Sequence, residues 1–405
     1  MNYPSYYTLF VKLLSNTLLF VLCFFLIAGC SALTTQSNPL NAINNDELIR
    51  ILLTERKAAQ PFIQLQHSSI ENPQLSFIKV SDIDFSRSEF NNGSFEKVKF
   101  SNVELSHASL NNINFKHAEL VNVNFSNATL NNTDFSGAIL TNVSFKNAKL
   151  DNVILLNTTF KNTDFENAIL TDNKIENASF QQCRLSRIKV HYSEINDVNL
   201  SNYNLKRISF LGSTISNSQF DNSDLENSNF NRVNIIDSEF KNSIMTNLKA
   251  KNSFWENNNL SNLIAPGMNF ENAEVKSSDF YLADLRETRF LETHFENIDF
   301  SGANLEFVNF EFAKLNHVSM EGSNISRANF KRATLSRANL KSVKAKWTSF
   351  LMTDLRHSDF SGSDIHKADF RGSNLKNVNF SQTKHFNNAI GFNKSDNFSS
   401  IIPPL

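Results

Sequence analysis

Carboxylate side chains are the first candidates for chemistry in this 405-residue sequence. Asp354, Asp359, Asp364 and Asp369 follow one another at intervals of five residues. Paired carboxylates can act as general acid and base, but a regular repeat without an evident cleft would leave them unshielded from water. We therefore expect them to hydrogen-bond nearby backbone amides, as acidic residues do in turns. The sequence predicts no catalytic residue.

The nine histidines are scattered along the chain. His317 and His357 lie forty residues apart with Arg337 between them, a pattern typical of solvated surface residues and not of a metal site. The sequence also contains no Gly-rich phosphate loop, paired cysteine ligands or nucleophile elbow. We therefore expect no metal and no cofactor, and we do not expect an enzyme.

Cys30 has an N-terminal context that implies covalent chemistry. Lys12 precedes an apolar stretch from 13 to 28, and residues 26–30, Leu-Ile-Ala-Gly-Cys, resemble the lipobox of bacterial lipoproteins. This resemblance implies cleavage before Cys30, acylation of its thiol and anchoring in a membrane. Ser31, in place of an aspartate, implies the outer membrane of a Gram-negative envelope. An uncleaved membrane anchor is the alternative, although about 17 apolar residues is the lower limit for spanning.

Aromatic and cationic residues alternate at intervals of twenty in the last third of the chain. Glu287 begins one such series and Glu292 begins a second. We call the following residues the stripe: Phe307, Phe312, Arg327, Arg332, Trp347, Met352 and Lys367. Rings and cations of this kind can simply stack on one another. Exposed aromatics with arginine are also typical interface anchors, so we hypothesise that the stripe binds a protein partner.

The charge distribution is uneven although the net charge is only -1. Residues 271–310 carry 3 Lys or Arg and 9 Asp or Glu, a net charge of -6, whereas residues 321–380 carry 11 and 5, a net charge of +6. A chain without a strong positive excess is not expected to bind nucleic acid.

The elements that position these residues are encoded by a period of five. All 61 multiples of five from Val80 to Phe380 are apolar, and 26 of them are Phe and 20 are Leu. We call these the central residues. A period of five matches neither the 3.6 of a helix nor the alternation of a strand. The residues two places earlier are mostly small or β-branched, as at Ala108 and Val123. The pattern therefore predicts a chain that turns a corner every five residues.

Several units carry a family resemblance. Residues 283–285 (Ala-Asp-Leu), 303–305 (Ala-Asn-Leu) and 368–370 (Ala-Asp-Phe) resemble the A(D/N)Lxx unit of the pentapeptide-repeat family. The resemblance implies an all-β fold, a right-handed quadrilateral β-helix with twenty residues per coil and about 15 coils. The family includes DNA mimics that protect topoisomerases and secreted effectors, so the resemblance implies a fold more than an activity.

Twenty residues per coil predicts that residues twenty apart stack directly. Phe125, Phe145 and Phe165 should form one aromatic column. Seven of the ten glycines lie two places after a central residue, where a turn would use their conformational freedom. Pro266 and Gly267 interrupt the pattern and predict a bulge or small loop.

The resulting domain boundaries are these: signal peptide 1–29, tether 30–43, N-terminal cap 44–74, β-solenoid 75–384 and irregular tail 385–405. Within the cap, Asn44 and Glu47 have the spacing of a capping box. They predict a short helix that runs through about Ala59.

These features together predict a membrane-anchored structural or protein-interaction scaffold in the bacterial cell envelope, with a protein partner that the sequence leaves unknown. The alternatives are a DNA-mimicking topoisomerase binder and a secreted effector that acts at a host membrane. Near-neutral charge and an export signal both disfavour the DNA mimic. The oligomeric state stays open at this level.

Overall fold

The computed structural model describes residues 40–54 and 62–392. The described residues from 42 onward belong to one compact unit. The predicted signal peptide, Cys30 and most of the predicted tether lie outside the described residues. Residues 62–392 form an all-β parallel solenoid. Among the helices in the described part of the chain, none has the length and apolarity needed to cross a membrane.

Short strands form three sheets along the solenoid. The strands in the described ranges are β1 (Asn41–Ile43), β2 (Ile63–Gln64), β3 (Ser68–Glu71), β4 (Lys79–Asp84), β5 (Glu89–Asn91), β6 (Lys99–Glu104), β7 (Ser109–Asn111), β8 (Glu119–Asn124), β9 (Thr129–Asn131), β10 (Ile139–Thr141), β11 (Lys149–Asp151), β12 (Ile154–Leu156), β13 (Thr159–Lys161), β14 (Ile169–Thr171), β15 (Lys174–Glu176), β16 (Ser179–Gln181), β17 (Lys189–His191), β18 (Glu194–Asn196), β19 (Thr214–Ser216), β20 (Asn234–Ile236), β21 (Phe254–Glu256), β22 (Glu274–Lys276) and β23 (His294–Glu296). The sheet orders are β1-β3-β5-β7-β9-β11-β14-β17, β16-β13-β10-β8-β6-β4-β2 and β12-β15-β18-β19-β20-β21-β22-β23.

The register is twenty residues in the strand pairs from β2 to β23, as predicted. Leu140 lies opposite Phe160 and Leu150 opposite Leu170. Isolated bridges continue the same register beyond the strands and form a fourth column, and only the last bridge, from Asp369 to Ile390, spans twenty-one residues. Within the described residues, one column of paired positions runs from Gln74 to Asn374 in fifteen steps of twenty, which gives sixteen rows. The number of coils therefore differs slightly from the predicted fifteen.

The central residues fill the solenoid interior. All 61 are buried except Phe180 and Leu375, which are half-buried. The ring centroids of Phe125 and Phe145 lie 5.0 Å apart with an interplanar angle of 2°, which confirms the predicted column. A longer column runs through Phe270, Phe290, Phe310, Phe330, Phe350 and Phe370 with centroid separations of 4.8–5.3 Å. Face-stacked rings one coil apart thus form columns within a core that also contains Leu, Ile, Val and Ala.

A regular hydrogen-bond pattern explains which residues each position accepts. The central Phe85 amide donates to the Glu104 carbonyl of the next coil at 2.8 Å, and the Arg87 amide donates to Ser106 at 3.0 Å. The amide one place after a central residue takes no part in this ladder. In many coils it donates instead to an Asn or Asp side chain two places earlier, as Lys116 does to Asn114 at 2.9 Å.

The predicted bulge at Pro266 and Gly267 is wrong. Asn247 donates to the Pro266 carbonyl at 3.0 Å, and Gly267 donates to Arg286 at 2.9 Å, so the ladder passes through unbroken. Pro266 occupies the one place whose amide the ladder does not need, and Ile264, two places earlier, has no side-chain acceptor to leave unpaired. The missing proline N–H therefore removes no hydrogen bond.

The residues two places after each central residue form the corners of the coils, and we call them corner residues. Nearly all have left-handed backbone, with φ of 44–72°. Asparagine, which tolerates this region better than most residues, is the most frequent corner residue. Its amides form ladders: Asn142 donates to Asn122 at 3.0 Å, and Asn162 donates to Asn142 at 2.8 Å.

The N-terminal cap contains the predicted helix, α1 (Asn45–Leu53). The Asn44 side chain accepts from the Glu47 amide at 2.9 Å, which confirms the predicted N-cap. The helix ends at Leu53, before the predicted Ala59, and the region 55–61 is outside the described residues. Leu48 is fully buried in the core cluster. The solenoid pairing starts at Ile63 in β2, ahead of the predicted boundary at residue 75.

The described part of the C-terminal tail is ordered where the sequence predicted irregular structure. A 3-10 helix spans Phe386–Asn388. The Ile390 amide donates to Ala368 at 3.0 Å, which extends the ladder by one more residue. The rings of Phe386 and Phe392 stack at 4.4 Å, and both contact Phe380. Apolar rings therefore cover the last Phe column.

We predict that Phe310→Ala lowers the free energy of unfolding by roughly 3–5 kcal/mol, because it empties a site inside the longest ring column. Phe307→Ala is the matched control, since Phe307 is only three residues away but 47% exposed. Its effect should be far smaller. Chemical denaturation followed by tryptophan fluorescence would measure both, and equal losses would contradict the assigned core.

Candidate functional site

The stripe lies at corner positions, where large side chains are costly. Phe307, Phe312, Trp347 and Met352 have φ of 55–60°. Left-handed backbone costs a residue with a large Cβ substituent about 1–2 kcal/mol, and Gly or Asn would avoid most of this. In the N-terminal half of the solenoid the same positions are mostly Asn. The stripe residues therefore occupy positions that the fold alone would give to other residue types.

The rings and cations of the stripe contact one another as the twenty-residue spacing predicted. The Arg327 guanidinium lies 5.1 Å from the Phe307 ring centroid and 5.4 Å from that of Trp347. Arg332 lies 5.5 Å from the Phe312 centroid. Each exposed contact of this kind contributes about 0.5–1 kcal/mol, which is less than the combined cost of placing both partners in left-handed backbone.

The apolar stripe residues are exposed despite these contacts. Phe312, Trp347 and Met352 are 41%, 49% and 53% exposed. The side chain of Lys367 makes no ion pair within the described residues. The structure thus places all seven predicted stripe residues in two neighbouring columns on one surface. Aromatic area of this kind is what a protein partner can bury.

The four carboxylates considered for catalysis bind the corner backbone, as predicted. Asp359 accepts from the Ser361 amide at 2.8 Å, and Asp369 accepts from the Arg371 amide at 3.1 Å. Arg356 donates through its guanidinium to both carboxylate oxygens of Asp354 and so lowers the pKa of this carboxyl. These interactions give the carboxylates a structural role in the turns.

His317 and His357 lie at corner positions in left-handed backbone. The Asn377 side chain is 3.4 Å from His357 Nδ1. Within residues 40–54 and 62–392, no group of three or more His, Cys, Asp or Glu side chains has the arrangement of a metal site.

A cleft interrupts the solenoid, and the sequence did not predict it. The bridges that should join Ser179 to Asn199 and Arg184 to Asn204 are absent, although all these residues are described. The other two sides of the same coils remain joined, as shown by the 2.7 Å bond from the Val190 amide to the Ser209 carbonyl. Two of the four columns are therefore broken between one coil and the next.

Tyr203 stands in this gap. Its hydroxyl accepts from the Cys183 amide at 3.4 Å, and burial raises the pKa of the Tyr203 phenol. The half-buried ring separates coils that pair directly elsewhere. The resulting cleft has a volume of about 600 Å³, and its lining includes Asn177, Phe180, Asp197, Asn202, Tyr203 and Gln219.

A small apolar cavity of about 40 Å³, lined in part by Phe180, Ile195 and Phe210, lies beside the break. The central residues from Leu185 to Leu205 include no Phe, so the interior there is filled by smaller side chains. One signal could have located the break. Tyr203 is the only aromatic residue two places before a central residue between Val80 and Phe380.

Two family models match most of the solenoid. The family described as Pentapeptide repeat region matches residues 78–155 and 153–230. The family described as Pentapeptide repeats (8 copies) matches residues 278–311, 303–341 and 347–383. No curated protein matches the sequence.

Solved structures with a similar fold include a trypsin-treated form of QnrB1, a plasmid-mediated fluoroquinolone resistance protein, at 21% identity and a TM-score of 0.37. The similarity covers 46% of this chain and 91% of that one. HetL, a pentapeptide repeat protein involved in heterocyst differentiation regulation from the cyanobacterium Nostoc sp. strain PCC 7120, is 14% identical with a TM-score of 0.28. The similarity covers 75% of this chain and 97% of HetL.

We predict that Tyr203→Ser closes the cleft, because serine at the equivalent position of other coils allows backbone pairing, as at Ser223 and Ser243. The amides of Phe180 and Leu185 should then exchange hydrogen more slowly, since each would gain a carbonyl partner. Hydrogen–deuterium exchange measures this. Tyr192→Ser, at an exposed corner, is the control and should leave the exchange of the Phe180 and Leu185 amides unchanged. Unaltered exchange in Tyr203→Ser would show that the ring does not hold the coils apart.

Proposed function

Because the chain belongs to the pentapeptide-repeat family, we propose that it is a non-enzymatic interaction scaffold of the bacterial cell envelope. In this proposal a lipid on Cys30 holds the chain at a membrane, and the stripe binds a protein. Both assignments go beyond the family, whose fold is shared by proteins with different roles.

The observation that carries the proposal is the residue type at the stripe corners. Phe307, Trp347 and Met352 occupy left-handed positions where Asn or Gly would fold at lower cost. They are about half exposed, so core packing does not explain them. The fold requires left-handed backbone at these corners but does not require bulky side chains there. Strained residues cluster at functional sites, and an interface would offset the cost by burying these side chains.

The chemistry of the stripe indicates what its partner must present. The apolar anchors are the side chains of Phe307, Phe312, Trp347 and Met352. Arg327 and Arg332 add planar guanidinium groups. Residues 321–380 carry a net charge of +6. A matching surface would combine apolar side chains with carboxylates, which arginine recognises in a bidentate manner.

The stripe also argues against the topoisomerase-binding alternative. A DNA mimic must present a continuous negative surface, because DNA carries one negative charge per about 1.7 Å of its axis. The three coils formed by residues 321–380 carry an excess of positive charge instead. We therefore favour a scaffold over a DNA mimic.

We predict that the wild-type chain fractionates with bacterial membranes and that Cys30→Ser moves it to the soluble fraction. The acyl chains contribute about 0.8 kcal/mol per buried CH₂ to membrane binding, and the variant cannot carry them. Immunoblotting of fractionated cells and metabolic labelling with an alkynyl fatty acid would check this. Cys183→Ser, which changes the buried cysteine of the solenoid, is the control and should keep both label and location. A wild-type chain that takes up no fatty-acid label would refute the lipid anchor.

We predict that Phe307→Asn combined with Trp347→Asn reduces capture of the partner at least tenfold, because both anchors are lost while the corners keep a residue that suits left-handed backbone. Crosslinking in cells followed by affinity purification and mass spectrometry would measure the captured proteins.

Phe77→Asn is the matched control for this experiment. Phe77 is also a corner residue, is 68% exposed and lies 5.0 Å from the Lys97 ammonium group, but it is remote from the stripe in the coil order. Its replacement should leave the captured proteins unchanged. If both variants keep the wild-type set while remaining folded by circular dichroism, the stripe is not the binding surface.

A further inference from the structure

We propose that the partner of the stripe is the stripe of a second copy of this chain, packed antiparallel about a two-fold axis at the coil of Phe307 and Phe312. This inference rests on the proposed role of the stripe as a protein-binding surface. It adds the identity, direction and register of the partner.

The order of side chains along the first column is self-complementary. Residues twenty apart stack directly, so Gly267, Glu287, Phe307, Arg327 and Trp347 occupy five successive coils of one corner. A two-fold axis through the Phe307 coil places each residue opposite the one at an equal distance on the other side. Phe307 then meets Phe307, Arg327 meets Glu287, and Trp347 meets Gly267.

The same two-fold axis also pairs the residues of the second column. Asn272, Glu292, Phe312, Arg332 and Met352 occupy the same five coils at the neighbouring corner. The axis pairs Phe312 with Phe312, Arg332 with Glu292 and Met352 with Asn272. One axis therefore satisfies both columns, with four Arg–Glu pairs around a cluster of four Phe rings.

The four charged residues of one copy are free to pair. Glu287, Glu292, Arg327 and Arg332 are exposed. Among the described residues, none of the four forms an ion pair within its own chain, whereas acidic neighbours such as Asp284 do. The wider charge agrees, because antiparallel packing sets the acidic region 271–310 (net -6) against the basic region beyond residue 321 (net +6).

Shape supports the same register. Trp347 is the largest side chain of the stripe, and the axis places it over Gly267, which has no side chain and has φ of +71°. Arg327 is already held between two rings, 5.1 Å from Phe307 and 5.4 Å from Trp347. Less side-chain entropy is then lost when it meets a carboxylate.

Glu306 and Glu311 lie on the central coil, so each would face the same residue of the second copy. Each has a cation nearby in its own chain. Lys331 Nζ lies 3.1 Å from a carboxylate oxygen of Glu311. Arg286 lies one coil before Glu306, at the same position of its unit. Its pKa is raised mainly by the hydrogen bond to Asp284 and also by the charges of Asp284, Glu287 and Glu306. These neighbours reduce the repulsion across the axis.

The predicted interface is modest in area. Five coils at the ~4.8 Å spacing of strands span only about 20 Å along the solenoid. Interfaces of this size are typical of weak or transient association. Anchoring in a membrane would raise the effective concentration of the two copies.

The test uses charge exchange in the full chain, purified in detergent. Glu287→Arg with Glu292→Arg forms one variant, and Arg327→Glu with Arg332→Glu forms the other. Each alone places like charges across the axis and should weaken self-association on the order of tenfold or more. Mixed together, they restore both pairs and should form a heterodimer. Sedimentation velocity and native mass spectrometry distinguish these species, and high salt should weaken the wild-type dimer.

Cysteine crosslinking tests the register. Asn309→Cys lies on the central coil and should form a disulfide with its own copy. Ser349→Cys, two coils away, should not react with itself but should pair with Asn269→Cys of a second variant. Disulfides are assigned by mass spectrometry.

The outcomes separate this inference from the proposed function. A wild-type chain that stays monomeric at all concentrations, or a Ser349→Cys variant that pairs with itself, overturns the antiparallel dimer. If the chain is monomeric but the double Asn variant of Phe307 and Trp347 still loses captured proteins, the stripe binds a different protein and only the dimer is rejected.

Discussion

Contact between each central side chain and its counterpart one coil away is the interaction on which the rest of the structure depends. Apolar residues occupy every central position from Val80 to Phe380, and nearly all of them are buried. A coil of twenty residues cannot bury its apolar side chains alone, so stability comes from neighbouring coils in a quasi-one-dimensional array. The backbone ladder follows the same register, and side-chain stacking and hydrogen bonding therefore reinforce each other.

The same register fixes the corners, and the corners give the protein its individual surface. Turning every five residues requires left-handed backbone, which favours Asn and Gly. In much of the solenoid the corner asparagines form amide ladders that match this requirement, as between Asn122 and Asn142. Bulky residues replace them at Phe312 and Trp347, although the left-handed backbone of these corners favours Asn or Gly. Disagreement of this kind marks functional positions more often than structural ones.

A rigid repeat also makes single departures visible. Tyr203 occupies a place that small residues fill in other coils, and two of four backbone columns are lost beside it. Pro266 looks more disruptive in the sequence, yet the ladder passes through it intact. The difference is steric: proline removes an amide that the ladder does not use, whereas a phenol ring needs space that the coil spacing does not provide.

The sequence by itself determined the period, the inward residues and the N-cap at Asn44, because each follows from a local rule. The resemblance to the pentapeptide-repeat family implied the four-sided coil and, with it, the stacking of Phe125 on Phe145. The lipid anchor at Cys30 also comes from the sequence alone and stays a prediction. Only the tertiary structure decided the break at Tyr203, the covering of the last coil by Phe386 and Phe392, and the exposed, strained state of the stripe. These depend on the space between coils and on contacts between residues distant in sequence, which no five-residue pattern specifies.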